Sequence, residues 1–144
     1  MKKKIKILIM GLPGSGKTTL SEKLAPLIKA TRVNADEIRK KFNDWDFSVE
    51  GRMRQSNRMN KIANDEIEKN NHVIADFVCP TDKAREKFKA DYVIWMNTID
   101  KGRFEDTNQM FEKPKKEEVN FEVNEKDADK YKILIHKDLK SLLK

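Results

Sequence analysis

The chemistry most specific to this chain lies in eight consecutive residues, Gly11-Leu12-Pro13-Gly14-Ser15-Gly16-Lys17-Thr18. Their pattern, G-x-x-x-x-G-K-T, is that of a phosphate-binding loop. Three glycines let the backbone curl until successive N–H groups face one hollow. The helix that follows adds the positive end of its dipole there. Lys17 brings a mobile cation to the outer phosphates, and Thr18 brings a hydroxyl for Mg²⁺. Together with Thr19, these residues predict a site for a nucleoside triphosphate.

Four further groups have the types and spacing for chemistry. Asp36 and Arg39 stand three apart at the start of an expected helix turn. A carboxylate there can accept the proton of an attacking hydroxyl, and an arginine can fix an acidic group on the acceptor. The same pair also reads as an ordinary helix start with an i,i+3 ion pair. Asp76 closes the apolar run His72-Val73-Ile74-Ala75, where a strand-end carboxylate can orient Mg²⁺. Arg52, Gln55 and Arg58 recur every three residues and so share one side of a helix, which suits an anionic acceptor or a solvated face. The apolar stripe Met59, Ile62, Ala63 and Ile67 is expected on the opposing side. Phe47, Phe104 and Phe111 lie in or beside polar loops, where a ring either stacks on a base or packs under its loop.

These residues need a scaffold that gathers them. Apolar runs predict strands at Ile5–Met10, Thr31–Asn34, His72–Phe77, Asp91–Asn97 and Val119–Val123. Helical spacing predicts helices over Lys17–Ile28, Glu37–Phe42, Val49–Lys69, Asp82–Phe88 with Thr81 as its cap, and Asp127–Leu143. Leu20, Leu24 and Leu27 should face inward from the first helix, which Pro26 should kink or stop. Tyr131, Leu134, Ile135, Leu139 and Leu142 should face inward from the last. Residues 101–114 read as a polar loop. Strands alternating with helices predict a three-layer α/β fold around a mainly parallel five-stranded sheet, with ligands beyond the carboxyl ends of the strands. Gly11, Asp36, Asp76–Pro80 and Asn97–Arg103 all follow strand ends and should meet in one cleft.

With 144 residues, the chain has the length of one domain. A net charge of +7 suits anionic partners. A single cysteine, Cys79, excludes an internal disulfide and fits a reducing cytoplasm. Two histidines and that cysteine cannot build a structural zinc site. No apolar run has membrane-spanning length, and Lys2-Lys3-Lys4 with the short run after it reads as the approach to a strand rather than a signal peptide. The acidic stretches Glu66–Glu68 and Glu122–Asp129 read as solvated faces and caps.

In their order along the chain, these motifs resemble the adenylylsulfate kinases, which phosphorylate the 3′-hydroxyl of adenosine 5′-phosphosulfate from Mg·ATP. The similarity extends to about Pro114. Gly11–Thr19 is similar to the family's phosphate loop, and Asn34-Ala35-Asp36-Glu37-Ile38-Arg39 to its post-strand motif. Phe47-Ser48-Val49-Glu50-Gly51-Arg52, with Gln55 and Arg58, resembles its signature F-S-x-x-D-R-x-x-N-x-x-R. Phe77-Val78-Cys79-Pro80 resembles its F-I-S-P segment, and Phe104 with Phe111-Glu112-Lys113-Pro114 the end of its lid. The resemblance implies that Phe47 stacks on the acceptor adenine and that Arg39, Arg52 and Arg58 hold the phosphosulfate, with Gln55 beside them. It implies that Phe77, Val78 and Cys79 line the same pocket. Of the lid's basic residues, Lys101 and Arg103 remain. The chain departs from the family at Asn34, Gly51, Gln55, Asp76 and Cys79, and its lid is shorter. Asp76 with Asp36 and Arg39 also resembles the polynucleotide 5′-hydroxyl kinases. The expectation is therefore an ATP-dependent kinase with Lys17 and Asp36 as catalytic residues, Mg²⁺ at Thr18 and Asp76, and a small anionic nucleotide as acceptor. A nucleic-acid hydroxyl is the alternative acceptor, and a nucleotide-binding module without catalysis is the third reading. The sequence leaves the oligomeric state open, a homodimer included.

Overall fold

The computed structural model describes residues 3–102 and 105–143. Five strands form one sheet: β1 (Lys6–Met10), β2 (Ala30–Asn34), β3 (His72–Asp76), β4 (Tyr92–Met96) and β5 (Phe121–Val123). Their spatial order is β2-β3-β1-β4-β5, and every neighbouring pair is parallel. β1 is central, and all five of its residues are buried. That is the reason it reads as an unbroken apolar run: both of its faces are covered.

The two faces pack against different helices, with side chains alternating between them as the pleat requires. Ile7 and Ile9 join Leu20, Leu24 and Ile28 of α1 (Lys17–Ile28) and Tyr131, Ile135 and Leu139 of α6 (Ala128–Leu143). Leu8 and Met10 join Met59 and Ala63 of α3 (Val49–Glu68) and Phe88 of α4 (Asp82–Phe88). The short α2 (Ala35–Phe42) follows β2 directly, and Asn34 caps it by accepting from the Glu37 N–H at 3.0 Å. Thr81 caps α4 in the same way, accepting from the Ala84 N–H at 3.1 Å.

Several expectations are corrected. Leu27, Leu134 and Leu142 are 40%, 42% and 43% exposed. Each helix instead buries a narrower i, i+4, i+8 stripe, because it rests on one sheet face. Pro26, by contrast, lies inside α1 near its end, and the helix runs to Ile28 as expected before an αL cap at Lys29. The stretch 101–114 is not all loop: α5 spans Glu105–Met110. Arg52 and Gln55 do not oppose the apolar stripe of α3. They are buried, at 8% and 4% exposure, on the same side as Met59 and Ala63.

At the end of the sheet away from the phosphate loop, Lys6 is buried. Its Nζ donates to Asn60 Oδ1 at 2.7 Å, to Asn64 Oδ1 at 2.9 Å and to the Phe88 carbonyl. Burial, partly offset by Asp91, lowers its pKa to about 8.

Candidate active site

Parallel strands bring their carboxyl ends to one edge, and register fixes what meets there. Asp76 stands opposite both Ile9 of β1 and Asn34 of β2. The chain leaves β1 into the loop Gly11–Gly16, and α1 begins at Lys17. Gly16 caps this helix at φ 104°, a left-handed conformation that glycine adopts without a Cβ clash. A Cβ on Gly11 would stand 2.8 Å from the Met96 carbonyl oxygen, so β4 passes directly against the start of the loop. Lys17 Nζ donates to the Gly11 and Leu12 carbonyls at 3.0 and 2.9 Å, which curls the ammonium over the loop.

The segment after β4 lies on this loop. Thr98 Oγ1 donates to the Ser15 carbonyl at 2.7 Å, and a Cβ on Gly102 would meet the Pro13 carbonyl oxygen at 2.9 Å. Asn108 of α5 accepts from the Gly102 N–H at 2.7 Å. Arg103 and Phe104, expected in the lid, lie outside the described residues.

A cleft of about 830 Å³ opens above the loop. Pro13, Gly14, Gly16, Lys17, Thr18 and Thr19 line one end, while Gly11, Leu12 and Ser15 are buried beneath it. Asp36, Arg39, Phe47, Arg52 and Gln55 line the other end, and Asp76, Phe77, Val78 and Cys79 line it between. Burial raises the Cys79 thiol to about 12, so it is an inert wall. The structure adds lining residues absent from the sequence expectation, among them Asn34, Trp45, Ser56 and Lys126. Asn34 entered the sequence reading only as a departure within the post-strand motif, and Lys126 as one charge among many. A second hollow of about 200 Å³ adjoins the loop between α1 and the β5–α6 connection, lined by Gly16, Thr19, Leu20, Met96, Val123 and Tyr131 among others.

Asp76 is only 2% exposed. Its Oδ2 accepts from Asn34 Nδ2 at 2.8 Å, and the same amide donates to Thr18 Oγ1 at 3.2 Å. Its Oδ1 is buried with no hydrogen-bond partner among the described residues. Burial raises the carboxyl to about 6, against the pull of Asn34, Arg32, the nearby Ser21 hydroxyl and Lys17 toward lower values. An orphaned carboxylate oxygen joined through one amide to the phosphate-loop hydroxyl fits a hydrated divalent cation. No cluster of three His, Cys, Asp or Glu side chains exists among the described residues, so any such ion needs phosphate oxygens or water to complete its shell.

At the other end, two guanidiniums are buried side by side. Arg39 is 3% exposed and donates through Nη1 to the Asp44 and Asp46 carbonyls at 3.0 and 3.1 Å. Arg52 donates to Thr107 Oγ1 of α5, and its Nε has no partner among the described residues. Burial, with Arg39 adding to it, lowers Arg52 to about 10. Both guanidiniums lie over the Phe47 ring, with Cζ 4.4 Å (Arg39) and 5.1 Å (Arg52) from its centroid. Two adjoining desolvated cations form a trap for an anion.

Arg58 is the correction. It does not line the cleft. Its Nη2 pairs with Asp44, and its Nη1 donates to Gln55 Oε1 at 3.2 Å. Asp44 also takes Arg54 Nε at 2.9 Å, and these two arginines hold its carboxyl well below the usual range. Asp46 pairs with Arg54 at 3.0 Å, and it falls to about 2 mainly through hydrogen bonds from Ser48. Gly51 admits this loop: a Cβ there would stand 2.7 Å from the Asp46 carbonyl carbon.

A family model described as an AAA domain matches residues 7–91. The structure of APE1195 superposes with a TM-score of 0.83 at 20% identity, covering 100% of this chain and 99% of that one. The Mycobacterium tuberculosis APS kinase CysC, in complex with AMPPNP and APS, gives 0.77 at 15% identity, with 99% of each chain covered. Shikimate kinase from Acinetobacter baumannii, in complex with shikimate, gives 0.64 at 20% identity over 97% of this chain and 95% of that one. No curated protein matches the sequence. At these identities the likeness is one of fold, that of the P-loop kinases.

Proposed function

The chain belongs to the AAA domain family, and from that premise we propose that it is an ATP-dependent kinase acting on a hydroxyl of a small anionic nucleotide, with the 3′-hydroxyl of adenosine 5′-phosphosulfate as preferred acceptor. The observation that carries the proposal is the cleft itself, with a phosphate loop at one end and the buried Arg39–Arg52 pair at the other. The triphosphate lies on Gly11–Thr19, and its base enters the hollow beside Val123 and Tyr131. Lys17 leaves the loop carbonyls for the outer phosphates. Thr18 and Asp76 hold Mg²⁺, which when bound neutralises phosphate charge. Arg39 and Arg52 seat the acceptor's anion. Its hydroxyl oxygen then bonds to the γ-phosphorus, the bond from that phosphorus to the leaving diphosphate breaks, and Asp36 positions the hydroxyl and takes its proton. In-line placement and charge neutralisation supply most of the acceleration.

Labelled ATP offered with adenosine 5′-phosphosulfate or with a 5′-hydroxyl oligonucleotide tests the assignment. The label is expected in the phosphosulfate. Label in the oligonucleotide alone overturns the acceptor in favour of the nucleic-acid reading, which the +7 charge supports. Bound ATP with neither transfer nor hydrolysis overturns catalysis. A cytoplasmic site of action is part of the same proposal, supported by the single cysteine of the sequence.

A further inference from the structure

The segment between α2 and α3 exposes two aromatic side chains, Trp45 and Phe47, at the cleft. Trp45 is 50% exposed and lines the cleft, although it is the largest apolar surface in the loop. A single exposed apolar ring is ordinary on a protein surface, and what sets this one apart is its place in the cleft and the loop that carries it. This loop is not floppy around Trp45. The carbonyls of the residues on either side, Asp44 and Asp46, both accept from Arg39 Nη1. Their carboxylates both pair with Arg54. The Asp46 N–H donates to Asp44 Oδ1 at 3.1 Å, which closes a tight turn around Trp45. The backbone that carries the indole is thus held on both flanks.

The resemblance implied that Phe47 stacks on the acceptor base. Here the guanidiniums of Arg39 and Arg52 lie over that ring, so its position is tied to theirs. Withdrawing it would strip two buried cations of their aromatic contact. Trp45 has no cation or ring contact of this kind among the described residues.

We propose that Trp45, not Phe47, is the stacking platform for the acceptor's nucleobase, and that Phe47 instead shapes the anion pocket by backing Arg39 and Arg52. This inference rests on the reading of the chain as a nucleotide kinase and deepens it. The acceptor it selects is an anion that carries a planar heterocycle within reach of the Arg39–Arg52 pair. A sugar or cyclohexene acid would leave the indole bare.

The test uses emission, which reads binding apart from turnover. The sequence contains two tryptophans, and the other, Trp95 in β4, is removed by W95F. With AMPPNP filling the donor site, adenosine 5′-phosphosulfate and adenosine, guanosine, cytidine and uridine monophosphates are each titrated, with ribose 5-phosphate as the base-free control. At least one base-bearing probe is expected to quench Trp45 emission saturably, and ribose 5-phosphate is expected not to. In turnover with the full chain, W45A should raise the acceptor KM about tenfold while kcat and the KM for ATP hold, and W45F should recover most of the loss. No quenching by any base-bearing probe, equal quenching by ribose 5-phosphate, or an unchanged acceptor KM in W45A overturns the inference. Quenching by a mononucleotide without phosphorylation of the phosphosulfate leaves Trp45 as the platform and removes the proposed acceptor instead.

Discussion

Replacing Asp76 with Asn should make the free protein more stable and the enzyme worse. Asp76 is buried at the end of β3, and burial raises its carboxyl from the ordinary 3.8 to about 6. A carboxyl that holds its proton more tightly when folded contributes stability that is complete below pH 3.8 and is lost as pH rises through 6. At pH 7 the ionised form therefore burdens the fold. The rise spans roughly two pH units at about 1.4 kcal/mol each, or about 3 kcal/mol at most. Asn keeps the shape and can still accept from Asn34, so most of this burden should disappear. Arg32 Nη2, 3.9 Å from the carboxylate, loses a distant partner and reduces the gain. For a domain of this size the net effect should be a rise in Tm of about 5–10 °C. Thermal melts of both proteins from pH 4 to 8, without nucleotide, should show a gap that is near zero at pH 4 and full by pH 7. With Mg·AMPPNP the order should reverse, because only the carboxylate serves the cation, and turnover should fall by about two orders of magnitude. A variant no more stable than the parent at pH 7, or a gap that does not close toward pH 4, refutes the reasoning.

Three further outcomes follow from the same geometry. Lys17→Ala should abolish phosphoryl transfer in a labelled-ATP assay, and transfer near the parent rate would remove the donor assignment. Arg52→Ala should raise the acceptor KM about a hundredfold, as loss of a charge-assisted contact requires, yet leave Tm unchanged or higher because a desolvated cation is gone. The parent should gain stability as pH rises from about 8 toward 10.5, because in that window only the unfolded chain still protonates Lys6, and Lys6→Met should lack that rise in pH-dependent denaturant melts.

The donor half was legible because its chemistry is local. Gly11–Thr18 needs only a strand before it and a helix after it, and both are encoded within a few residues. The sheet was legible for a similar reason, since strands covered on both faces must read as continuous apolar runs. The acceptor half was not, because it depends on contacts between segments. Nothing in the spacing of Arg52, Gln55 and Arg58 reveals that Asp44 captures Arg58, or that Arg52 and Gln55 are buried on the core-facing side of α3. Helix faces were drawn too wide because periodicity alone does not say how many neighbours a helix has. The helix at Glu105–Met110 was missed because its sequence, EDTNQM, is polar apart from Met110, and its one described buried side chain, Thr107, is held by Arg52.

The bare α-carbon at position 51 has an evolutionary consequence. The loop carbonyl of Asp46 fills the space where a side chain would begin, so every replacement must displace the turn that carries Trp45 and the two carbonyls gripping Arg39. If the proposed acceptor site is right, its preference cannot drift by small steps through this position; it has to jump, with residues 44–48 rebuilt together. Libraries seeking a new acceptor should accordingly vary Gly51 together with the whole turn at 44–48, since the Asp46 backbone carbonyl stays in place whatever side chain position 46 carries.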